Sequence, residues 1–370
     1  MFTQANYKPI MFPPNRITFT VIAVVLCLFI CCSKETKTPV TKATAATSTT
    51  DKTTTSSTST TKQVTTTKSP DTVVTAPATN LSKGLCCKTE NVIIIVMDGP
   101  RYSETWGDYT RQNIPGQFDI YHYGVLLSNF HNMGTTNTDS GHDAICTGNY
   151  ENLENTGQAL PQYPSIFQEF LKATGKPAEK AWVVASKDKL QILGNCQQAG
   201  WTGQYQPRTD CGIKGLFSGY RSDDTTFAHA KNMINTYHPN LMLINFKDPD
   251  TYGHSNLWSN YIKAIQTTDG YIKAIYDMIQ ADPIYKDKTT LIITNDHGRH
   301  VDNVADGFVS HGDGCDGCRH IEFLAVGPDF KKGIGFVTPY EQIDISQTVA
   351  KLLNFKMDYG KGKLITDIFN

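Results

Sequence analysis

Three short apolar runs constrain the fold of this chain more than any other feature. They are VIIIVM at 92–97, LMLINF at 241–246 and LIIT at 291–294. Their length and branched residues are typical of strands that are buried in a parallel sheet. Helical patterns separate them at 165–173 and 261–279, and an amphipathic pattern follows at 343–355. This alternation predicts an α/β domain with a mainly parallel central sheet.

Each predicted strand runs into acidic residues, and two of the three are also followed by a histidine. The first strand ends at Asp98, the second precedes Asp250 and His254, and the third precedes Asp296 and His297. In open α/β sheets the binding crevice lies beyond the carboxyl ends of the strands. We therefore expect these five side chains to meet at one edge of the sheet.

A cluster of this kind predicts a divalent metal site. A single aspartate after a strand is usually a turn or cap residue. Three clustered carboxylates, however, would repel and raise the pKa of one another unless a cation neutralised them. Mixed aspartate and histidine ligands suit zinc, and manganese is an alternative. His311, in VSHGDG ahead of a further apolar run, is either another ligand or a loop residue.

The motifs together resemble those of the alkaline phosphatase superfamily, most closely its phosphodiesterase and nucleotide pyrophosphatase branch. They follow the family's order: IVMDG, a threonine ahead of H-x-x-x-x-T-G, D-x-x-x-H, NDHG, and HG with GP downstream. The last helical pattern also resembles the closing helix of sulfatase-like members. The resemblance covers residues 91 to 355 and implies a three-layer α/β/α sandwich with a mainly parallel central sheet.

The resemblance further implies two divalent metal ions, zinc or manganese, held by aspartate, histidine and threonine side chains. Two such ions can activate an attacking oxygen and stabilise the leaving group of an in-line displacement. The ligands carried over by motif are Asp250, His254 and His311 for one ion, and Asp98, Asp296, His297 and Thr138 for the other.

The segment NTDSGHDAICTGN at 137–149 offers two candidate nucleophiles, Thr138 and Ser140. In the family the attacking residue lies nine positions before the threonine of a T-G pair. That threonine is Thr147 here, which selects Thr138 as the catalytic residue. The T-D-S triplet, which resembles that of alkaline phosphatases, keeps Ser140 as the alternative. We expect a covalent phosphothreonine on Thr138 and a structural role for His142.

Two further expectations concern this region. A helix is predicted to start after Gly141, with N-terminal amides that favour phosphoryl oxygens. The family's diesterase branch often has asparagine where this chain has Gly141. The spacing from His311 to Gly327-Pro328 leaves His320 as an alternative ligand.

These features predict a metal-dependent phosphoric ester hydrolase, either a phosphodiesterase or a phosphatase, with a small phosphoester as its partner. The same fold acting on phosphonate or sulfate esters is an alternative, although the C-x-P-x-R signature of formylglycine sulfatases is absent from the sequence. An inactive surface binding protein is a further alternative. With 34 basic and 35 acidic residues and no basic block, the chain gives no sign of nucleic-acid binding.

The N-terminal residues predict export and a membrane anchor. Residues 17–30 are almost wholly apolar, follow Lys8 and Arg16, and are typical of an export signal at 1–32. The run ends at Cys31 and Cys32, which resembles a bacterial lipoprotein signal, so either cysteine is a candidate for lipidation. An uncleaved signal anchor and simple secretion are the alternatives. The expected location is the bacterial cell envelope, as a membrane-anchored lipoprotein or a periplasmic or extracellular protein.

The remaining sequence divides into a tether and a hydrolase domain. Residues 33–82 are rich in threonine and serine, with 22 of the 40 residues at 41–80 being one or the other, and predict a disordered tether. The domain spans 83–370, with a small polar insert at about 187–224. Cys196 and Cys211 flank part of this insert and could pair. Cys315 and Cys318 form C-x-x-C, which indicates a disulfide, free thiols or half of a zinc site.

The insert also contains aromatic and basic residues that are either surface residues or the lining of the active-site entrance. They are Trp201, Tyr205, Arg208, Tyr220 and Arg221.

Overall fold

An eight-stranded sheet forms the centre of the computed structural model, which describes residues 87–370. The strands of the chain are β1 (Asn91–Met97), β2 (Gly124–Leu127), β3 (Phe130–His131), β4 (Ala181–Ala185), β5 (Arg208–Cys211), β6 (Leu241–Phe246), β7 (Thr289–Thr294), β8 (Phe323–Val326), β9 (Ile334–Phe336) and β10 (Tyr340–Glu341). The order across the sheet is β5-β4-β6-β1-β7-β8-β2-β9, and β10 pairs separately with β3. Within the sheet β8 runs antiparallel to both of its neighbours, and the other pairs are parallel.

Helices connect the strands and cover both faces of the sheet. They are α1 (Pro115–Tyr121), α2 (Thr138–Thr147), α3 (Ile166–Thr174), α4 (Asp223–Tyr237), α5 (Asp248–His254), α6 (Trp258–Ala281), α7 (Asp316–Arg319) and α8 (Asp344–Leu352). Short 3₁₀ turns lie at Tyr102–Glu104, Ala178–Lys180, Asp188–Gly194 and Gly307–Val309.

The two faces of the sheet bury separate hydrophobic cores. Successive side chains of a strand point to opposite faces. Ile94 and Val96 of β1 pack in a core that contains buried residues of α2, α3 and α8. Ile93 and Ile95 pack in a second core, which contains residues of α1, α4 and α6. The predicted three-layer α/β/α sandwich with a mainly parallel sheet is therefore confirmed.

The three apolar runs are confirmed as the adjacent strands β6, β1 and β7 at the middle of the sheet. The sequence pattern did not predict β4 or β5, and this changes the interpretation of residues 187–224. β5 lies inside this range and pairs in parallel with β4, so the segment completes the edge of the sheet instead of forming an insert outside it.

The suggested Cys196–Cys211 disulfide is wrong. Both thiols are free and buried. Cys211 is the last residue of β5, and its Sγ lies 3.7 Å from the carbonyl oxygen of Val183 in the neighbouring strand.

The predicted export signal (1–32), the tether (33–82) and the lipidation site at Cys31 or Cys32 lie outside the described residues. Among residues 87–370, no helix has the length and apolar character needed to cross a membrane.

Glu322 is a fully buried acid immediately before β8. Its Oε1 accepts a hydrogen bond from Nδ2 of Asn295 at 3.4 Å. Burial and the charge of Asp269 raise the pKa of Glu322 to about 8, which the Asn295 hydrogen bond offsets only in part. Glu322 is therefore mainly protonated at neutral pH.

We expect the stability of the unchanged protein to fall as pH rises. Glu322→Gln should not show this fall. An acid whose pKa is raised by folding contributes its full stabilisation to the folded protein below its unfolded-state pKa. For Glu322 this stabilisation is lost as the pH rises through the folded-state pKa of about 8. Between about pH 5 and pH 9 the free energy of unfolding should fall by roughly 2–5 kcal/mol more in the unchanged protein than in the variant. Urea unfolding with a chelator present measures both, and parallel pH profiles would contradict the prediction.

Candidate active site

The carboxyl ends of β6, β1 and β7 bring three buried aspartates to one edge of the sheet. Asp98 directly follows β1, and its backbone N–H donates to the carbonyl of Phe246 in β6 at 2.9 Å. Asp250 lies in α5 just after β6, and Asp296 lies two residues beyond β7. All three side chains are at most 6% exposed, so their charges interact through a medium far less polar than water.

Asp250, His254 and His311 converge, as the sequence predicted. His254 follows Asp250 by one turn of α5, and its Nε2 lies 3.3 Å from Oδ1 of Asp250. Nε2 of His311 lies 3.4 Å from the same oxygen and 3.0 Å from Nε2 of His254. Nδ1 of His311 lies 2.7 Å from the carbonyl oxygen of Thr136 and donates to it, which directs Nε2 toward Asp250.

Asp98, Asp296 and His297 form the neighbouring part of the cluster. Nε2 of His297 lies 3.3 Å from Oδ2 of Asp296 and 3.8 Å from Oδ1 of Asp98. Oδ1 of Asp296 accepts hydrogen bonds from the backbone N–H groups of Gly99 and His297. Oδ2 of Asp296 and Nε2 of His297 have no hydrogen-bond partner in the described part of the chain. Buried lone pairs of this kind are costly, and they fit a bound cation.

The distances also show that the two predicted ligand sets adjoin each other. Candidate ligand atoms of Asp250, His297 and His311 lie within 4.8 Å of one another, and so do those of Asp98, His142 and Asp296. The His297 and His311 rings are stacked with centroids 3.7 Å apart. His297 is therefore close to both sets, whereas the sequence assigned it to only one.

Lys187 is a central residue of the site that sequence reasoning missed. Its ammonium group donates to Oδ2 of Asp250 at 2.7 Å, to Oδ1 of Asp98 at 2.9 Å and to Oγ1 of Thr138 at 2.9 Å. The residue is only 2% exposed. It follows β4 after one serine, so β4 delivers a functional side chain to the same sheet edge as the three predicted strands. The short run AWVVA ahead of polar residues was the available signal.

The charges in the cluster do not balance among the protein groups alone. Burial lowers the pKa of Lys187, but Asp250 and Asp98 outweigh this and raise it above its ordinary value. Arg299 also pairs with Asp250. Lys187 and Arg299 thus supply two positive charges against the three carboxylates of Asp98, Asp250 and Asp296.

The remaining negative charge affects Asp98 most. Burial and the Asp296 charge raise the pKa of Asp98 to about 7, although Lys187 opposes this. Burial also raises the pKa of Asp250, but Lys187 and hydrogen bonds from His254 and His311 outweigh it and hold that pKa well below its ordinary value. Burial keeps the pKa of His297 well below its ordinary value, so its imidazole is neutral. The neutral imidazole of His297 and excess carboxylate charge are donors that suit divalent metal ions.

Thr138 and Ser140 face different surroundings. Oγ1 of Thr138 touches Lys187 inside the cluster. Oγ of Ser140 instead accepts a hydrogen bond from the backbone N–H of Leu153 at 2.9 Å, which anchors a neighbouring loop. Of the two hydroxyls, that of Thr138 therefore lies among the predicted ligands and that of Ser140 does not.

The predicted helix starts earlier than expected and offers fewer free amides. Asn137 caps α2 by accepting from the N–H of Ser140 at 2.8 Å, so the helix begins at Thr138 and not after Gly141. The N–H of Asp139 donates to the side chain of Asn155 at 3.1 Å. These two amides are therefore not free for phosphoryl oxygens, and the amides after Gly141 lie inside the helix and not at its N-terminus.

Gly141 allows α2 to approach the end of β7. A Cβ atom at this position would lie 2.4 Å from the carbonyl oxygen of Asp296. The asparagine that the resembled branch often carries would not fit here without a backbone shift.

His142 holds the cluster in place through both ring nitrogens. Nδ1 lies 2.9 Å from the carbonyl oxygen of Thr138, and Nε2 lies 3.1 Å from Nδ2 of Asn245. The same Nδ2 of Asn245 donates to Oδ2 of Asp98 at 2.9 Å. His142 thus links the nucleophile candidate to a predicted ligand, which suits the structural role that the sequence indicated. Asn245 was not predicted.

The alternative ligand His320 and the predicted entrance residues have different surroundings. His320 stacks on Tyr102 with centroids 3.7 Å apart and bonds the carbonyl of Ser128, which does not support its role as an alternative ligand. Trp201 is buried. Tyr220 is 46% exposed, and partial burial raises its pKa.

The two arginines of the predicted entrance form ion pairs with residues outside the cluster. Arg208 pairs with Glu179, and Arg221 pairs with Asp210 at 2.6 Å.

A family model of metal-dependent enzymes matches most of this chain. The family model described as "Metalloenzyme superfamily" matches residues 90–357. No curated protein sequence matches the chain significantly.

Several solved structures share the fold at low sequence identity. Wild-type alkaline phosphatase PafA has a TM-score of 0.59 and 12% identity, covering 76% of this chain and 99% of that one. Murine ectonucleotide pyrophosphatase/phosphodiesterase 5 has a TM-score of 0.55 and 16% identity, covering 76% and 100%. A phosphonate monoester hydrolase from Silicibacter pomeroyi has a TM-score of 0.53 and 14% identity, covering 75% and 76%.

Proposed function

Because this chain belongs to the Metalloenzyme superfamily and has the alkaline phosphatase fold, we propose that it is a metal-dependent phosphoric ester hydrolase. The observation that carries the proposal is the contact of one buried ammonium group with a hydroxyl and two carboxylates. Lys187 joins Thr138 to Asp98 and Asp250 at 2.7–2.9 Å. This arrangement holds a hydroxyl nucleophile beside a set of metal ligands.

Two divalent ions, zinc or manganese, fit the donor groups of this site. Asp250, His254 and His311 would hold one, and Asp98, Asp296, His297 and Thr138 would hold the other, with His297 near enough to both sets to serve either. When bound, the ions supply positive charge that activates the attacking oxygen and stabilises the leaving oxygen.

The chain's own residues position the reacting groups. Lys187 donates a hydrogen bond to Oγ1 of Thr138 and so favours the deprotonated oxygen. Attack of this oxygen on phosphorus would release the alcohol of the ester and leave a phosphothreonine. Water would then cleave the phosphothreonine and regenerate Thr138. Lys187 would offset the charge of the anionic oxygens throughout.

Two ions together with Lys187 and Arg299 would outweigh the three aspartates, so the loaded site would attract an anionic ester. We propose a small phosphoester as the substrate. Phosphonate or sulfate esters are the alternative on the same site, since a phosphonate monoester hydrolase is among the similar structures. An inactive surface binding protein has no need for the buried Lys187–Thr138 contact.

The proposed location is the bacterial cell envelope. Its support is the N-terminal sequence alone: an apolar run at 17–30, Cys31 and Cys32 as candidate lipidation sites, and a Thr/Ser-rich segment beyond them. Anchoring through this end would display the hydrolase domain outside the inner membrane.

We expect the purified protein to hydrolyse aryl phosphate esters only when metal is bound. A panel of aryl phosphate monoesters, diesters, phosphonates and sulfates, assayed before and after chelation, tests this. Chelation should reduce turnover at least about a thousandfold, and Zn²⁺ or Mn²⁺ should restore it. Faster turnover of phosphonates or sulfates would favour the alternative substrates. Absence of turnover on the whole panel with metal added would contradict the proposal.

A further inference from the structure

We propose that His300, Asp313, Cys315 and Cys318 hold a structural zinc ion, separate from the ions of the catalytic cluster. Candidate ligand atoms of these four residues lie within 4.8 Å of one another. The sequence offered only the C-x-x-C half of such a site, and the fold supplies the other half. The inference does not depend on the proposed hydrolase activity.

His300 is oriented for metal binding. It is 5% exposed, and its Nδ1 lies 3.1 Å from Oδ1 of Asp306 and 3.2 Å from Oγ of Ser310. These contacts hold Nδ1, which leaves Nε2 as the ring nitrogen available to a metal ion. Nε2 is buried, lies 3.2 Å from Oδ2 of Asp313, and has no hydrogen-bond partner among the residues that the structure describes.

Asp313 and the two cysteines complete the donor set. Oδ1 of Asp313 accepts from the backbone N–H of Cys315 at 3.0 Å, which directs Oδ2 toward His300. Cys315 occupies the N-cap position of α7 and Cys318 lies inside the helix, so a single helical turn brings both thiols together. Cys318 is fully buried and Cys315 is partly exposed, and both are free thiols.

This donor set favours zinc over the harder ions. Two sulfur ligands with one imidazole and one carboxylate are typical of tetrahedral zinc, whereas magnesium, calcium and manganese prefer oxygen ligands. On binding, each cysteine thiol would release its proton to solvent. The site would then carry one net negative charge. The guanidinium of Arg319, which lies against Gly314 next to Cys315, would offset it.

The ion would fix the loop that presents His311 to the catalytic cluster. His300 and Cys318 lie at the two ends of this loop, and the carbonyl of Cys318 accepts from the N–H of Gly298 at 2.8 Å. The carbonyl of Asp313 accepts from Oγ1 of Thr136, whose own carbonyl orients His311. Among residues 301–315 the only regular element is the turn at Gly307–Val309. A bound metal ion would add a further restraint on this loop.

Cobalt substitution of the full-length protein tests the proposal independently of activity. Cobalt bound to thiolates gives an intense near-ultraviolet charge-transfer absorption that cobalt on nitrogen and oxygen ligands lacks. We expect this band in the unchanged protein and its loss in C315A/C318A. Cys196→Ala removes a buried free thiol outside the cluster and should keep the band. Asp250→Asn should also keep it, even if the catalytic ions are lost.

Metal analysis and X-ray absorption complete the test. C315A/C318A should bind one zinc ion fewer per chain than either the unchanged protein or Cys196→Ala. Absorption at the zinc edge should show sulfur at about 2.3 Å in the unchanged protein, a measurement that requires no variant to fold. Zinc without sulfur neighbours, or a Cys315–Cys318 disulfide in the freshly purified native protein, would overturn the proposal.

Discussion

Replacing Thr138 by alanine should lower turnover by several orders of magnitude, because the variant lacks the oxygen that is proposed to attack phosphorus. Loss of a covalent nucleophile typically costs roughly 5–8 kcal/mol of transition-state stabilisation, at about 1.4 kcal/mol per tenfold change in rate. Thr138→Ser should keep partial activity, since it retains the hydroxyl and loses only a methyl group. Single-turnover hydrolysis of an aryl phosphoester measures each variant.

Ser140→Ala is the matched control, since it removes the other hydroxyl of the same helical turn. Oγ of Ser140 accepts a hydrogen bond from Leu153, so its loss should cost about 1 kcal/mol of stability and leave most of the turnover. Two results would contradict this assignment: normal turnover of the phosphoester by Thr138→Ala, or a loss of several orders of magnitude in Ser140→Ala. Either result would show that the T-D-S triplet was the better guide to the nucleophile.

Replacing Lys187 by methionine should reduce kcat/KM by about a hundredfold to a thousandfold. The change keeps much of the side-chain volume but removes a buried positive charge and its hydrogen bonds to Thr138, Asp98 and Asp250. Preorganised donors of this kind are worth about 3–4 kcal/mol when they face developing charge. Lys187→Arg should not restore activity, since a planar guanidinium cannot reproduce three contacts made by one nitrogen.

Lys247→Met is the control for charge at the same edge of the sheet. Lys247 follows β6 much as Lys187 follows β4, but its ammonium group pairs with Asp248 at 2.6 Å. This variant should stay within about threefold of the unchanged protein, as expected for a partly exposed ion pair. Equal losses in the two variants would mean that general charge, and not the contacts of Lys187, explains the effect.

The middle of the sheet could be predicted from the sequence because its strands are buried on both faces. Such strands have uninterrupted apolar runs, and polar residues mark their ends, so the sequence alone was enough to place Asp98, Asp250 and Asp296 at one edge. The outer strands of the sheet were harder to predict. The run AWVVA of β4 has only five residues and is a weak signal, and β5, with the sequence RTDC, has no apolar run.

Lys187 could not be predicted for the same reason, since its role depends on where β4 packs. The direction in which a hydroxyl points from the first turn of a helix also depends on residues outside that turn. Ser140 turns toward Leu153 because of how the loop after α2 returns, which the sequence alone does not reveal. The partners of the C-x-x-C motif became visible only when the fold brought His300 beside it.

Trapping the covalent intermediate shows whether Thr138 attacks phosphorus in a metal-dependent site. The unchanged protein, loaded with metal, would be acid-quenched during turnover of an aryl phosphoester and its peptides mapped by mass spectrometry. We expect phosphate on Thr138, and no phosphopeptide when the metal has been removed beforehand. Phosphate on Ser140, or a phosphopeptide that forms equally well without metal, would contradict it.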